Sequence, residues 1–245
     1  MAPKGPRGVV VKILAIDTAT RASSVAIGDK DGLKGQSTNV DRRGHLKFLI
    51  PAIDFCLEQA GWTARDIDVV AVDIGPGPYT GLRSGISTAH AFAAAVGAPM
   101  VAVSSLTTLA LRAATGRRRI WPIVDMRRGQ IAVAPFTPLP GGVAPDGEPE
   151  VVSPEEFRVM LEREVDESLV VGDWQSVSEA TWTGLHRVRM GRPRYPSAET
   201  ILEIAHMMAD KGNTSPLDEV RPMYLREADV QINWKAFRSE GAWPV

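Results

Sequence analysis

The chain has 245 residues, a formal net charge of -1 and a pI near 6.4, with 44% hydrophobic and 23% charged residues. These values describe an ordinary globular chain, long enough for one large domain or two of about 120 residues, and they argue against a broad basic face that binds nucleic acid unaided. The single cysteine, Cys56, excludes an internal disulfide and suits a reducing cytoplasm.

Residues 1–9 are basic and rich in proline and glycine, with no apolar stretch of adequate length behind them. They are expected to be a disordered extension and not a signal peptide. Strands are predicted over Val10–Asp17, Ser23–Gly28 and about Leu33–Asn39, joined by the turns Thr18–Ala22 and Asp31-Gly32. A helix follows over Gly44–Ala60 and stops at Gly61. On a helical wheel Leu46, Leu49, Ile50, Ile53, Cys56, Leu57 and Ala60 form a core stripe, while Phe48, Ala52 and Phe55 fall opposite. Two apolar faces imply two things to pack on, either a partner or another helix of this chain, such as the C-terminal one.

Residues 68–105 then read as strand, glycine turn, helix and strand, a βαβ unit. The turn Gly75-Pro76-Gly77-Pro78 precedes a helix from about Leu82 to Val96, capped by Gly97 and stopped by Pro99. Its glycines match neither the dinucleotide fingerprint nor a Walker loop. The turn either touches a nucleotide or only shapes a tight connection. From Ser84 to Val96 no side chain is charged unless His90 is protonated, and most are small. A surface helix of a monomer needs a polar face, so this one is covered on all sides by its own fold or by a partner. His90 amid alanines reads as a packed or interface histidine.

The pattern then begins again. The strand, turn, strand of Ile13–Ile27 is echoed by Pro122–Val133, with Asp17 and Asp125 standing 108 positions apart. This predicts a tandem duplication, an α/β chain of two ribonuclease-H-like lobes. Residues 138–149 read as a Pro/Gly loop. Ser153, Pro154 and Glu156 mark a helix start, Ser168–Gly172 a strand, and Ser197–Lys211 the last strong helix. Residues 174–194 lack clear periodicity, so the second lobe is expected to be reduced. The expected divisions are an extension (1–9), a first lobe (10–115), a second lobe (116–212) whose last helix is able to pack back on the first, and a tail (213–245). Within the tail, residues 224–234 are left unassigned.

Two aspartates at equivalent strand ends would face a cleft between the lobes. They could hold Mg²⁺ for an ATP-dependent transferase or kinase, or simply terminate their strands by turn hydrogen bonds. The histidines 45, 90, 186 and 206 have no helical metal spacing, no GxSxG occurs, and Cys56 lacks an evident base. The run Arg117–Arg119 is a solvated loop or a contact to RNA or phosphate.

The segments Ile13–Ile27, His45–Pro51, Gly75–Arg83 (GPGPYTGLR), Val101–Leu106 and Pro222–Arg226 closely resemble the TsaB (YeaZ) family, accessory subunits of bacterial threonylcarbamoyladenosine synthesis on transfer RNA. The resemblance spans about residues 13–230. It implies the actin-like ATPase and sugar-kinase fold with a reduced second lobe, and a cytoplasmic scaffold without a catalytic or metal site. Its implied partners are a TsaD-like catalytic subunit and a TsaE-like ATPase, with transfer RNA engaged only through the complex, no membrane, and a homodimer as a further state. The metal-binding histidines of the TsaD-like paralogue would fall at Ser105 and Leu109. The resemblance places pairing on the helices of the first lobe, which with the wheel makes Phe48, Ala52, Phe55, Gly85, Ala89, Phe92 and Ala93 the interface candidates. It implies no cofactor for the chain alone, and ATP or ADP in the complex near Thr18, Gly77 and Arg83. An old association with peptidases finds no nucleophile and base to support it.

Overall fold

A computed structural model of the chain describes residues 10–41, 44–114 and 116–225. The extension 1–9 and residues 226–245 of the tail lie outside the described residues. In order, the elements are β1 (Ile13–Asp17), β2 (Ala22–Asp29), β3 (Gly32–Val40), α1 (His45–Ala60), β4 (Val69–Gly75), α2 (Tyr79–Val96), β5 (Met100–Ser104), α3 (Ser105–Ala113), β6 (Arg119–Arg127), β7 (Gln130–Val133), β8 (Phe136–Leu139), β9 (Gly142–Pro145), β10 (Glu150–Val152), α4 (Pro154–Arg163), β11 (Ser168–Gly172), β12 (Val188–Met190) and α5 (Ala198–Asp210).

The first sheet has the order β3-β2-β1-β4-β5, antiparallel on the β2 side of β1 and parallel on the β4 side. The second repeats it as β10-β7-β6-β11-β12, with the same change from antiparallel to parallel about β6. β1 and β4 are buried along almost their whole length, as central parallel strands covered on both faces must be.

The duplication is unequal. Between β4 and β5 stands the 18-residue helix α2; between β11 and β12 stand only the single turns Trp174–Ser176 and Glu179–Thr181. Those turns, with α4, cover one face of the second sheet through Phe157, Leu161, Val177 and Trp182. Phe157 is fully buried with its ring edge-on to Trp121 and Trp182. Residues 138–149, expected as a loop, include most of the β8–β9 hairpin, which extends the sheet beside β6. A proline-rich sequence hides it, because edge strands tolerate proline where the missing N–H faces outward.

The two lobes exchange their covers. α3, just after β5, packs on the second sheet with Leu106, Leu109 and Ala110 beside Ile120, Val124 and Val171. α5, the last helix of the second lobe, lies on the first sheet, with Ile201, Leu202 and Ala205 against Ile13, Ala15 and Val101. An Arg112–Glu199 ion pair at 2.7 Å ties the two helices. α3 has no counterpart in the sequence expectations, where residues 105–113 were given no element.

The α5 face also decides what covers α1. α5 lies on the opposite face of the sheet from α1 and α2, so it does not shield their outer sides. Replacing Phe157 by Ala is expected to lower stability by about 3–5 kcal/mol, measured by urea unfolding, because the cavity lies between two indoles and cannot collapse fully.

Candidate protein-docking site and the gap between the lobes

The glycine turn and α2 are set by one close approach. Gly77, Gly81 and Gly85 face the β1–β2 turn, and a Cβ on each would lie 2.1 Å from Ala19 O, 2.4 Å from Thr18 O and 2.2 Å from Thr18 Oγ1, respectively. Thr18 Oγ1 donates to Gly81 O at 2.8 Å. The glycines therefore let a helix lie directly on a turn, and the space they leave is filled by Thr18 and Ala19. Thr18 and Gly77 are buried. Arg83 is exposed, over the Tyr79 ring at 3.8 Å. The three residues named as nucleotide-proximal are thus neighbours, two of them packed into the junction and only Arg83 open to solvent.

Asp17 and Asp125 do not pair. Asp125 lines a gap of about 10 Å³ between the lobes, with Thr20, Arg21, Pro78, Arg127 and Asp173. It accepts from Arg127 N at 2.8 Å and pairs with the Arg127 guanidinium at 3.4 Å. Asp17 is fully buried, and its carboxyl neighbour is Asp73 near the end of β4. Asp17 accepts from Ala19 N at 2.9 Å and from Ser24 Oγ at 3.5 Å, and Ser24 Oγ accepts from Ala198 N at the start of α5. Asp73 Oδ1 accepts from Gly75 N at 2.7 Å and Ser105 Oγ at 2.6 Å, while its Oδ2 is buried without another donor. Burial raises both carboxyls above the ordinary carboxylate range, and the nearby Asp17 charge raises Asp73 further. A proton on Asp73, donated to Asp17, satisfies that oxygen and leaves one negative charge where two would repel. Asp73 escaped the sequence reading, although a lone carboxylate inside the apolar run of β4 is the signal that could have found it.

Ser105 and Leu109 are both fully buried, the first bonded to Asp73 and the second packed on the second sheet. Among the described residues, no three His, Cys, Asp or Glu side chains gather as metal ligands. The run Arg117–Arg119 is tied to its own lobe: Arg118 pairs with Glu167 at 2.8 Å, and Arg119 with Asp146 at 2.7 Å and Glu164 at 3.4 Å.

The seven interface candidates divide. Ala52, Gly85, Ala89 and Ala93 are buried in the first lobe, with Ala52 at the floor of a hollow beside Phe48 and Phe55. Phe55 is exposed, while Phe48 and Phe92 are half-buried at the surface. The wheel for α1 needs correction in the same sense. Leu46 and Ile50, expected in the core stripe, are 68% and 57% exposed. The buried arc, Leu49, Ala52, Ile53, Cys56 and Leu57, is rotated toward Ala52, and α1 comes close to the sheet at Cys56, where a Cβ on Gly35 would lie 3.1 Å from Cys56 O.

That rotation opens an apolar groove of about 550 Å³ between α1 and α2, lined by Leu46, Ile50, Ser84, Ser87, Ala91 and Phe92 among others. Beside it a second hollow of about 410 Å³ runs past Phe48, Pro51 and Phe55 toward β3. Exposed leucine, isoleucine and phenylalanine so close together, next to a helix whose surface carries Arg83 at one end and small uncharged side chains beyond it, form the kind of patch that proteins cover with a partner.

The duplicated sheets define the class: two ribonuclease-H-like lobes of the actin-like ATPase and sugar-kinase superfamily. A family model described as "TsaD: tRNA N6-adenosine threonylcarbamoyltransferase" matches residues 35–156. The tRNA threonylcarbamoyladenosine biosynthesis protein TsaB of Escherichia coli is 32% identical over 234 residues, 92% of this chain and 97% of that protein. The Haemophilus influenzae protein of the same name is 28% identical over 239 residues, 91% and 95% of the two chains. The solved structure of YeaZ from Pseudomonas aeruginosa superposes with a TM-score of 0.74 at 26% identity, covering 88% of this chain and all of that one. The chain belongs to the TsaB (YeaZ) family, and with it to threonylcarbamoyladenosine biosynthesis on transfer RNA.

The carboxyl pair makes a pH prediction. A folded-state pKa raised above the unfolded value gives stability that is complete below the unfolded pKa and is lost as pH rises through the folded pKa. Asp73→Asn keeps a donor toward Asp17 and removes the titration. Relative to this variant, the wild type should lose stability as pH rises from about 4, by up to about 1.4 kcal/mol per pH unit until the folded pKa is passed. Urea unfolding of both proteins at a series of pH values measures the difference, and parallel curves would exclude the shared proton.

Proposed function

We propose that this chain is a non-catalytic subunit that pairs with a TsaD-like enzyme through the outer face of α1 and α2. The observation that carries the reading is the exposed apolar groove of Leu46, Ile50, Ala91 and Phe92, lying beside a junction in which Thr18 and Ala19 fill the glycine turn. Catalysis of the kinase type would use a carboxylate open to a phosphate and a metal. Asp17 is instead enclosed with Asp73, and Asp125 is engaged by Arg127 at a gap too small for a ligand. The match of residues 35–156 to the TsaD model supports the choice of partner. A related chain with the same α1–α2 unit meets this one about a pseudo-twofold axis, as duplicated surfaces commonly do. The same face, left without its partner, pairs two copies of this chain.

In the assembled complex the TsaD-like subunit carries the transfer of the threonylcarbamoyl group to the adenosine next to the anticodon. A TsaE-like ATPase supports the cycle, and transfer RNA is engaged by the complex in the cytoplasm. ATP or ADP enters only with the partners present, with Arg83 as an open basic side chain near the glycine turn. The buried thiol Cys56, raised to about 11 by desolvation, stays protonated and takes no part.

Ile50→Glu with Ala91→Glu tests the face directly, since both positions are exposed and the fold should be unaffected. Each leaves a carboxylate buried without a partner in the complex, so the affinity for a TsaD-like enzyme should fall at least about 100-fold, with transfer to transfer RNA lost and the melting temperature unchanged. Undiminished co-purification would overturn the docking assignment. Transfer by the wild-type chain alone would overturn the non-catalytic reading.

A further inference from the structure

Three arginines beside the inter-lobe gap share an unusual setting. Arg83 lies over the ring of Tyr79 at 3.8 Å, Arg21 over Tyr195 at 6.0 Å, and Arg194 over Trp174 at 5.8 Å. Tyr224 extends the first stack, its ring 4.9 Å from Tyr79 and its hydroxyl accepting from Arg83 Nε at 3.2 Å. The pairs are neighbours: Pro78, Arg21 and Asp173 line one gap, Tyr79 follows Pro78, and Trp174 follows Asp173.

Several other arginines answer to carboxylates. Arg112, Arg118, Arg119 and Arg158 each pair with a glutamate or aspartate. Among the described residues, no carboxylate lies within ion-pair distance of Arg21, Arg83 or Arg194, and all three are exposed. The β6–β7 hairpin adds Arg127 and Arg128, whose φ of 67° and 55° puts two side chains in the left-handed region that glycine or asparagine enters more cheaply. Arg21 and Arg127 thus line the gap together with two aspartates, Asp125 and Asp173. The gap itself, about 10 Å³, has room for about one water molecule. It admits no enclosed nucleotide, so a ligand of these arginines must lie across the surface.

We propose that this strip of arginines beside aromatic rings along the mouth of the gap, Arg83, Arg21 and Arg194 with Tyr79, Tyr195 and Trp174, binds the phosphate backbone and unstacked bases of RNA. A guanidinium that contacts a ring and has no carboxylate partner keeps N–H groups free for phosphate oxygens, and aromatic and guanidinium planes are the surfaces on which unpaired bases stack. The choice of RNA rests on the transfer-RNA role proposed above. The Arg83 end borders the α1–α2 groove, so the strip leads from the docking face onto the second lobe. It gives the chain a direct contact to RNA, where the sequence resemblance implied contact only through the complex.

The test uses the complex of the full chain with its TsaD-like partner and a fluorescent, unmodified transfer RNA transcript, followed by anisotropy over a range of salt. Arg21→Gln with Arg194→Gln should weaken binding about tenfold at physiological salt and reduce the slope of log K against log salt by about 2, one for each lost phosphate contact. Arg118→Gln, which removes an arginine paired with Glu167, should change neither. Unchanged affinity and slope in the double variant would overturn the proposal, as would loss of ATP binding with transfer RNA binding intact, which would make the strip a nucleotide site. Co-purification in the same preparations reports on docking, so a failure of pairing is distinguished from a failure of RNA contact.

Discussion

The contact between α2 and the β1–β2 turn is the constraint on which the rest depends. Gly77, Gly81 and Gly85 bring a helix so near Thr18 and Ala19 that any side chain at the three positions would collide with backbone or hydroxyl oxygen. The approach does two things at once. It packs Thr18 and Ala19 against the glycine turn at the end of β4 and the start of α2. It also fixes the rotation of α2, sending Leu82, Ile86, Ala89 and Ala93 inward and leaving Arg83 and a run of small side chains on the outer surface beside Leu46 and Ile50. A closed junction and an open docking face are therefore two results of one packing arrangement.

The buried carboxyls complete that arrangement. Asp17 links the turn to α5 through Ser24, and Asp73 links the end of β4 to α3 through Ser105. Since α3 and α5 each cover the sheet of the other lobe, the pair sits where the two lobes are joined. Two ionised carboxylates there would repel across a dry interior, and one shared proton turns the repulsion into a hydrogen bond.

Much of the fold was legible because its strands and helices are locally consistent. The alternation and capping of β1, β2, α1, α2 and α5, and the echo of Ile13–Ile27 in Pro122–Val133, announced the duplicated lobe. What could not be read lies where tertiary packing overrides local pattern. α3 is only nine residues long, starts immediately after β5, and owes its position to a sheet made by the other half of the chain. The β8–β9 hairpin hides among prolines. The candidate docking site was legible as a pair of helices and only partly as residues. Phe48, Phe55 and Phe92 are at the surface, but a wheel cannot say which edge of a broad apolar arc meets the sheet, so Ala52 is buried and Leu46 and Ile50 exposed against expectation, while Ala89 and Ala93 of α2 also face the core. The arginines beside aromatic rings were not legible, since Arg21, Arg83 and Arg194 come together only through the closure of the two lobes.

Hydrogen exchange of the full chain, with and without a TsaD-like enzyme, tests most directly the claim that the chain works by its helical face and not by the junction. The account predicts that the partner slows exchange in the exposed stretches of α1 and α2, around residues 46–55 and 83–92, and that ATP with Mg²⁺ added to the chain alone changes nothing at Thr18–Arg21 or Gly75–Pro78. Protection of those two turns by ATP in the absence of the partner, with α1 and α2 unaffected by it, would contradict the account.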